Sequence, residues 1–289
     1  MKKFFLRFIF PVLALIFMLE ACGTQDTGGS PTETETDPTP LNLTVYLDLS
    51  NRLVVTPDQQ QKGYSQKDRD LAIVDQLVDE FKRHSEDTFK LPYSQDIFEV
   101  IAYPVPSGGG INTLLEKLKT DCPSYGKNYG ARKNRLLTMK DSIHNTLNTI
   151  YDRTIAEQQW PGADIWGFFS NGAARTRCVR KGYRNVLVVI TDGYIYHKNN
   201  RIDQGNAHSY ILNSTLADST ASLIAQGKGL GDLEVLFMEL ERPAAHPEYR
   251  DRMYKVIGDW LGAMGVTRYE LVDTDVPANL TPYIKDFLK

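Results

Sequence analysis

Two short segments of this chain place a carboxylate directly after a β-prone apolar run. Asp48-Leu49-Ser50-Asn51-Arg52 follows Leu43-Thr44-Val45-Tyr46-Leu47, and Thr191-Asp192-Gly193 follows Val186-Leu187-Val188-Val189-Ile190. Carboxylates and small hydroxyls are hard oxygen donors, suited to a divalent cation such as Mg²⁺ or Mn²⁺ that keeps part of its water shell. Arg52, four residues after Asp48, brings a positive charge of its own that can pair with Asp48 or Asp192 and take over a cation's electrostatic role.

The surrounding pattern says how these residues are positioned. Short, nearly all-apolar runs are expected of parallel strands buried on both faces. Besides the two runs above, Ile97 to Val105, Leu233 to Leu240 and Arg268 to Val272 read as strands. Between them, Lys67 to His84 carries Leu71, Val74, Leu77, Val78 and Phe81 on one helical stripe, and Lys133 to Gln158 carries Leu136, Met139, Ile143, Leu147, Ile150 and Tyr151 near the same spacing. A short helix near Thr113 to Lys119, and helices over Ser214 to Gln226, Glu248 to Met264 and Leu280 to Leu288, complete the alternation, with Tyr194 to Ile202 as a candidate hairpin and Cys122 to Ala131 as a loop. Strands alternating with helices predict an α/β fold, a central and mostly parallel sheet with helices on both faces. In such sheets ligands bind at the carboxyl ends of the strands, near a switch in strand order, which is where Asp48 and Asp192 would lie.

The two segments resemble parts of the metal ion-dependent adhesion site of von Willebrand factor A domains. That family has Asp-x-Ser-x-Ser after the first strand, a Thr on a later loop, and an Asp, often in Asp-Gly, after the fourth strand. The middle part is similar to Pro161-Gly162-Ala163-Asp164-Ile165, where the family often shows Gly-Gly-Thr-Asp-Ile. The resemblance spans nearly all of residues 41–289 and implies a Rossmann-like fold and a module that holds a protein or glycan partner at the sheet's carboxyl edge. It implies Asp48, Ser50 and Asp192 as metal ligands, with Asp164 as a substitute. It also places Arg52 at the second Ser and Ala163 at the Thr, so two ligand hydroxyls are missing. A metal-free site, in which Asp48 caps a turn and Asp192 pairs with Arg52, stays open beside the metal-binding one.

Catalysis is not implied. The chain has no Gly-x-Ser-x-Gly and no His-Glu-x-x-His, and no nucleophile and base stand at informative spacing. Leu47-Asp48-Leu49-Ser50 is superficially similar to the nucleophile strand of haloacid dehalogenase-type phosphatases, but Ser50 stands where that family has its second Asp. Ser107-Gly108-Gly109-Gly110 lacks the Lys-Ser/Thr sequel of a phosphate-binding loop and reads as a flexible connection. His197 and His208 fall near the Asp192 end of the sheet. Tyr194 and Tyr196 follow the Asp-Gly, and Trp160 and Trp166 flank the Ala163 loop; packing is the default role for all four aromatics.

The N-terminus reads as an export signal. Lys2, Lys3 and Arg7 precede an apolar run from Phe8 to Met18, shorter than the ~20 residues a membrane-spanning helix needs. Leu19-Glu20-Ala21-Cys22 resembles a bacterial lipobox, with Glu20 atypical, and implies cleavage after residue 21 and lipidation at Cys22. Residues 23–40 contain no large apolar side chain and are expected to form a tether. The expected organisation is therefore signal 1–21, tether 22–40 and domain 41–289, anchored by lipid in the cell envelope, at an outer membrane or cell surface. Removing residues 1–21 takes away three basic residues and one acid, leaving 30 Lys+Arg against 35 Asp+Glu. A net charge of −5 gives no electrostatic reason to expect nucleic acid as a partner. Cys122 and Cys178 remain as a candidate disulfide or as two free thiols.

Overall fold

A computed structural model of the chain describes residues 38–54, 65–106, 108, 110–158, 160, 164–193, 229–241 and 248–289. The strands β1 (Leu41–Leu47), β2 (Ile97–Ile101), β3 (Thr120–Asp121), β4 (Arg184–Ile190), β5 (Leu233–Leu240) and β6 (Arg268–Asp273) form one sheet in the order β3-β2-β1-β4-β5-β6. All neighbours pair in parallel except β3, which runs antiparallel to β2 at the edge. This is the α/β, Rossmann-like arrangement expected from the alternation of elements.

All seven residues of β1 are buried, as are six of the seven of β4, which is why both read as unbroken apolar runs. Along β4 the side chains alternate between two cores. Val186, Val188 and Ile190 pack with Phe81, Leu136, Leu147 and Ile284, which belong to α1 (Gln66–Phe89), α3 (Tyr129–Glu157) and α7 (Pro277–Leu288). Leu187 and Val189 pack with Phe168, Cys178 and Trp260, which belong to α4 (Ile165–Ser170), α5 (Ala173–Cys178) and α6 (Glu248–Ala263). The short helix α2 (Ile111–Glu116) joins the first of these layers through Ile111 and Leu115.

Helix α1 starts on a reciprocal cap. The Ser65 hydroxyl accepts from the Asp68 backbone N–H, and the Asp68 carboxylate accepts from the Ser65 N–H. Helix α3 starts at Tyr129, four residues earlier than its apolar stripe indicates, because the Asn128 side chain accepts from Ala131 N–H and caps it. The expected loop from Cys122 to Ala131 is thus a 3₁₀ turn, Cys122–Tyr125, running into this cap. Strand β2 ends at Ile101 and not at Val105.

The candidate disulfide does not form. Cys122 lies in the α1/α3 layer and Cys178 in the α4/α6 layer, with the sheet between them, and both are buried free thiols. Several expectations lie outside the described residues: the signal, Cys22 and the tether to residue 37; Ala163; the Tyr194 to Ile202 hairpin; the Ser214 to Gln226 helix; and His197 and His208. Among the described residues, no helix is long and apolar enough to cross a membrane.

Candidate functional site at the strand-order switch

Strand order reverses at β1, which has β2 on one side and β4 on the other. The β1–β4 register runs from Leu41 opposite Arg184 to Leu47 opposite Ile190, so the two strands end side by side. The next residues, Asp48 and Thr191, are therefore neighbours. Asp48 N–H donates to Ile190 O at 3.2 Å, and the Thr191 hydroxyl donates to Asp48 Oδ2 at 2.7 Å. The other carboxylate oxygen, Oδ1, accepts from Ser50 N–H at 3.0 Å, the turn-capping contact of an Asx turn. Both oxygens of this buried side chain are thus engaged. Burial raises the Asp48 pKa, and the Arg52 charge with the Thr191 and Ser50 hydrogen bonds offsets part of that effect.

Arg52 occupies the space above the two strand ends. Its Nε donates to Asp48 O at 3.0 Å and lies 3.8 Å from Asp48 Oδ2, and Nη2 reaches Ile190 O at 3.4 Å. Its principal partner is Asp70 on α1. Nη1 meets Asp70 Oδ1 at 3.3 Å and Nη2 meets Oδ2 at 2.5 Å, a two-point carboxylate contact. The expected pairing of Arg52 with Asp48 is present, and Asp70 is an additional partner that the sequence reading lacked. Asp48 is the longer, secondary contact. Burial works against the guanidinium charge, but Asp70 and Asp48 outweigh it, so the Arg52 pKa is raised and the group stays protonated.

Asp70 was not apparent as a site residue, although a signal existed. Positions 70, 74, 77 and 81 lie on one helical stripe, and three of them are Val74, Leu77 and Phe81. A carboxylate in line with an apolar stripe faces the interior and needs a partner there. It has three: Arg52, the Tyr151 hydroxyl at 2.8 Å and Gln66 Nε2 at 3.0 Å.

Gln66 extends the network to Glu239 on β5, whose Oε2 it meets at 3.1 Å. That same oxygen accepts from Arg69 Nε at 2.9 Å and from the Thr274 hydroxyl at 3.1 Å. Glu239 is 2% exposed, has φ +71, and interrupts the β5–β6 register. Its second oxygen, Oε1, has no hydrogen-bond partner among the described residues. Burial raises the Glu239 pKa, and the Arg69 charge offsets part of the rise. A non-glycine residue in the left-handed region stores strain of order 1–3 kcal/mol and belongs among candidate functional residues. No period or spacing in the sequence marks it.

Asp192 and Ser50 lie at the same edge. Asp192 is half-buried, and its backbone oxygen accepts from Glu241 N–H at 3.0 Å. Gly193 after it has φ +86, and a Cβ there would stand 2.2 Å from Met253 Sδ, so the Asp-Gly pair is required by the close approach of α6. Asp164 sits on the neighbouring loop as the N-cap of α4, where its Oδ1 accepts from Gly167 N–H at 2.7 Å.

Both Asp48 oxygens accept hydrogen bonds, one Asp164 oxygen caps its helix, and the Arg52 guanidinium stands 3.8 Å from Asp48. Among the described residues, no three His, Cys, Asp or Glu side chains form a group that could hold a metal ion. A buried cation of the protein's own, Arg52, thus already lies against the Asp48 carboxylate and the Asp48 carbonyl.

Comparison with known proteins adds solved structures at low similarity. The pilus adhesin SpaC from Lactobacillus rhamnosus GG is 12% identical, with a TM-score of 0.45, over 87% of this chain and 31% of that one. The chain thus spans less than a third of the adhesin. Conserved hypothetical protein BatB from Bacteroides thetaiotaomicron is 14% identical, with a TM-score of 0.33, over 86% of this chain and 98% of that one. Proximal thread matrix protein 1 from the mussel byssus is 11% identical, with a TM-score of 0.35, over 87% and 48%. No protein-family model matches the chain. No curated protein matches it either.

Proposed function

We propose that the chain is a lipid-anchored binding module of von Willebrand factor A type that holds a protein or glycan partner at the carboxyl edge of its sheet without a divalent cation. One observation carries this reading: Arg52 lies where strand order switches, in contact with Asp70, the Asp48 carbonyl and the Ile190 carbonyl. A fixed guanidinium there supplies the positive charge that a metal would bring and holds the ends of β1 and β4 and the start of α1 in one arrangement. The partner surface is then formed by the groups around it, Ser50, Asn51 and Asp192.

A binding role is favoured over phosphatase chemistry by the state of Asp48. A nucleophilic carboxylate needs an oxygen open to substrate, and here one oxygen accepts from Thr191 and the other from Ser50. Anchoring through Cys22 in the envelope, with an outer-membrane or surface location, belongs to the same reading. It rests on the sequence alone.

The test is in-cell photo-crosslinking from a probe at exposed Asn51, with a second probe at exposed Leu137 on α3 as control. A defined adduct from position 51 alone, weakened by Asp192→Ala and unchanged by chelator, supports the reading. Equal adducts from both positions, or none from 51, favour a purely structural envelope lipoprotein. Labelling with an alkyne palmitate, lost in Cys22→Ala, tests the anchor separately.

A further inference from the structure

The opposite edge of the sheet, where the parallel strands begin, has its own construction. The described chain enters there. Pro40 O accepts from Arg184 N–H at 2.9 Å, and Leu41 N–H donates to Asp96 Oδ1 at 2.7 Å. Two buried polar side chains then fix loops on this edge.

The first is Arg132, 3% exposed. Its Nε donates to Cys122 O at 2.9 Å, Nη1 to Pro92 O at 2.8 Å and Nη2 to Gly126 O at 2.6 Å. It thereby ties the 3₁₀ turn before β2 to the one after β3. The result is a displayed aromatic pair: the Tyr93 and Tyr129 rings meet at a 54° tilt with centroids 5.1 Å apart while 56% and 45% exposed. Exposed Lys90 and Lys127 flank them in sequence.

The second is Asn185. It accepts from Arg180 N–H at 2.8 Å and donates to Arg180 O and Tyr183 O at 3.1 Å, and Asn42 donates to it at 2.9 Å. These bonds hold the turn Arg180-Lys181-Gly182-Tyr183 just before β4. Lys181 is exposed, and neither it nor Arg180 has an ion pair among the described residues. Hydrogen bonds link this basic turn to the first loop cluster through the start of β1: Arg184 N–H meets Pro40 O, Leu41 N–H meets Asp96 Oδ1, and Cys122 N–H donates to Asp96 O at 3.1 Å. Acids on this edge include Asp96, buried; exposed Glu86, whose Oε2 accepts from Leu91 N–H at 3.3 Å; Asp121, 3.9 Å from Lys119; exposed Asp232; Glu234, paired with Arg184 and Arg268; and Asp286, paired with Lys289.

We propose that this edge rests on anionic phospholipid headgroups, so that the domain stands on a membrane with its switch-point site facing away. Rigid exposed tyrosines suit headgroup depth, where one end of the ring is apolar and the hydroxyl is wet. Lys and Arg beside them supply the charge complement, each cation strengthening attachment to an anionic surface about fivefold. The chain outside the described region decides for lipid over another partner. Residues 23–40 span at most about 60 Å from Cys22 and join the domain at this edge and not at the other. The net charge of −5 that remains after residue 21 opposes long-range attraction, so attachment must act at contact range through this face. The inference rests on the Cys22 anchor for its orientation only.

The test uses the chain from residue 22 on with Cys22→Ser, which carries neither the apolar signal nor a lipid, in flotation with vesicles of phosphatidylcholine alone and with added phosphatidylglycerol. Recovery with phosphatidylglycerol only, falling with salt, is expected. Arg180→Gln with Lys181→Gln should weaken it at least about tenfold. Tyr93→Ala should weaken it several-fold, and Lys255→Gln on α6 should leave it unchanged, with melting temperatures of all variants equal. Absence of phosphatidylglycerol-dependent flotation, equal weakening by Lys255→Gln, or preferential binding to purified cell-wall glycan would overturn the proposal. Because the assay contains no lipidated chain, its failure is separate from failure of the palmitate label at Cys22.

Discussion

The Arg52 guanidinium and the Asp70 carboxylate meet at two points, and both side chains are sealed from water, at 4% and 0% exposure. Two charges in such a place hold each other there. Each would incur a desolvation penalty of several kcal/mol alone, and their attraction with the hydrogen bonds from Tyr151 and Gln66 offsets it. Arg52→Ala and Asp70→Asn are each expected to destabilise the fold by about 3–5 kcal/mol. The double substitution Arg52→Met with Asp70→Leu should cost much less than the sum of the single changes. Urea unfolding of the four proteins measures this, and strictly additive losses would contradict the pairing.

This pair shows how much of the site was legible in the sequence. The strands ending at Asp48 and Asp192 stood out because buried parallel strands need unbroken apolar runs, and both end at the switch point as expected. Arg52 was visible as a cation beside the site. Its partner was not, since the pairing depends on how α1 lies across β1, which only tertiary packing sets. Asp70 was hidden among the charges Asp68 and Arg69, although its place on the apolar stripe could have revealed it. Glu239 is the penultimate residue of a strand whose bounds, Leu233 to Leu240, follow from its apolar run, but its left-handed backbone and orphan oxygen go with a register break against β6. The open question of Cys122 and Cys178 needed the sheet to be placed between them.

Burial pushes the Cys122 thiol up to about 11 and the Cys178 thiol up to about 12. Thiols held so far from the thiolate form react slowly with disulfide and maleimide reagents. Both are expected to resist a thiol reagent in the native protein and to titrate as two free thiols in denaturant. Reductant should leave the melting temperature unchanged. A melting temperature lowered by reductant would mean a disulfide.

Glu239 gives a pH dependence of defined sign. Burial raises its folded-state pKa above the ordinary 4.5, so folding favours the protonated form. Its contribution is fully present below 4.5 and is lost as pH rises through the folded value. Asp48 is raised too and contributes with the same sign, so the comparison must be with a variant and not with the absolute slope. The stability of the native chain relative to Glu239→Gln should fall as pH rises from 4.5 toward neutral, read by urea unfolding across that range. A flat or rising difference would contradict the assignment.

The most direct measurement on the cation's place is a calorimetric titration of Mg²⁺ and Mn²⁺ into the unlipidated chain, beside Asp48→Ala and the pair Arg52→Ser with Ala163→Thr. With Arg52 standing in for a metal, the native chain is expected to give no saturable heat. Restoring the two hydroxyls while removing the guanidinium should create saturable binding. Saturable binding by the native chain that disappears in Asp48→Ala would mean that Arg52 yields to a cation, and a metal-independent site would be ruled out.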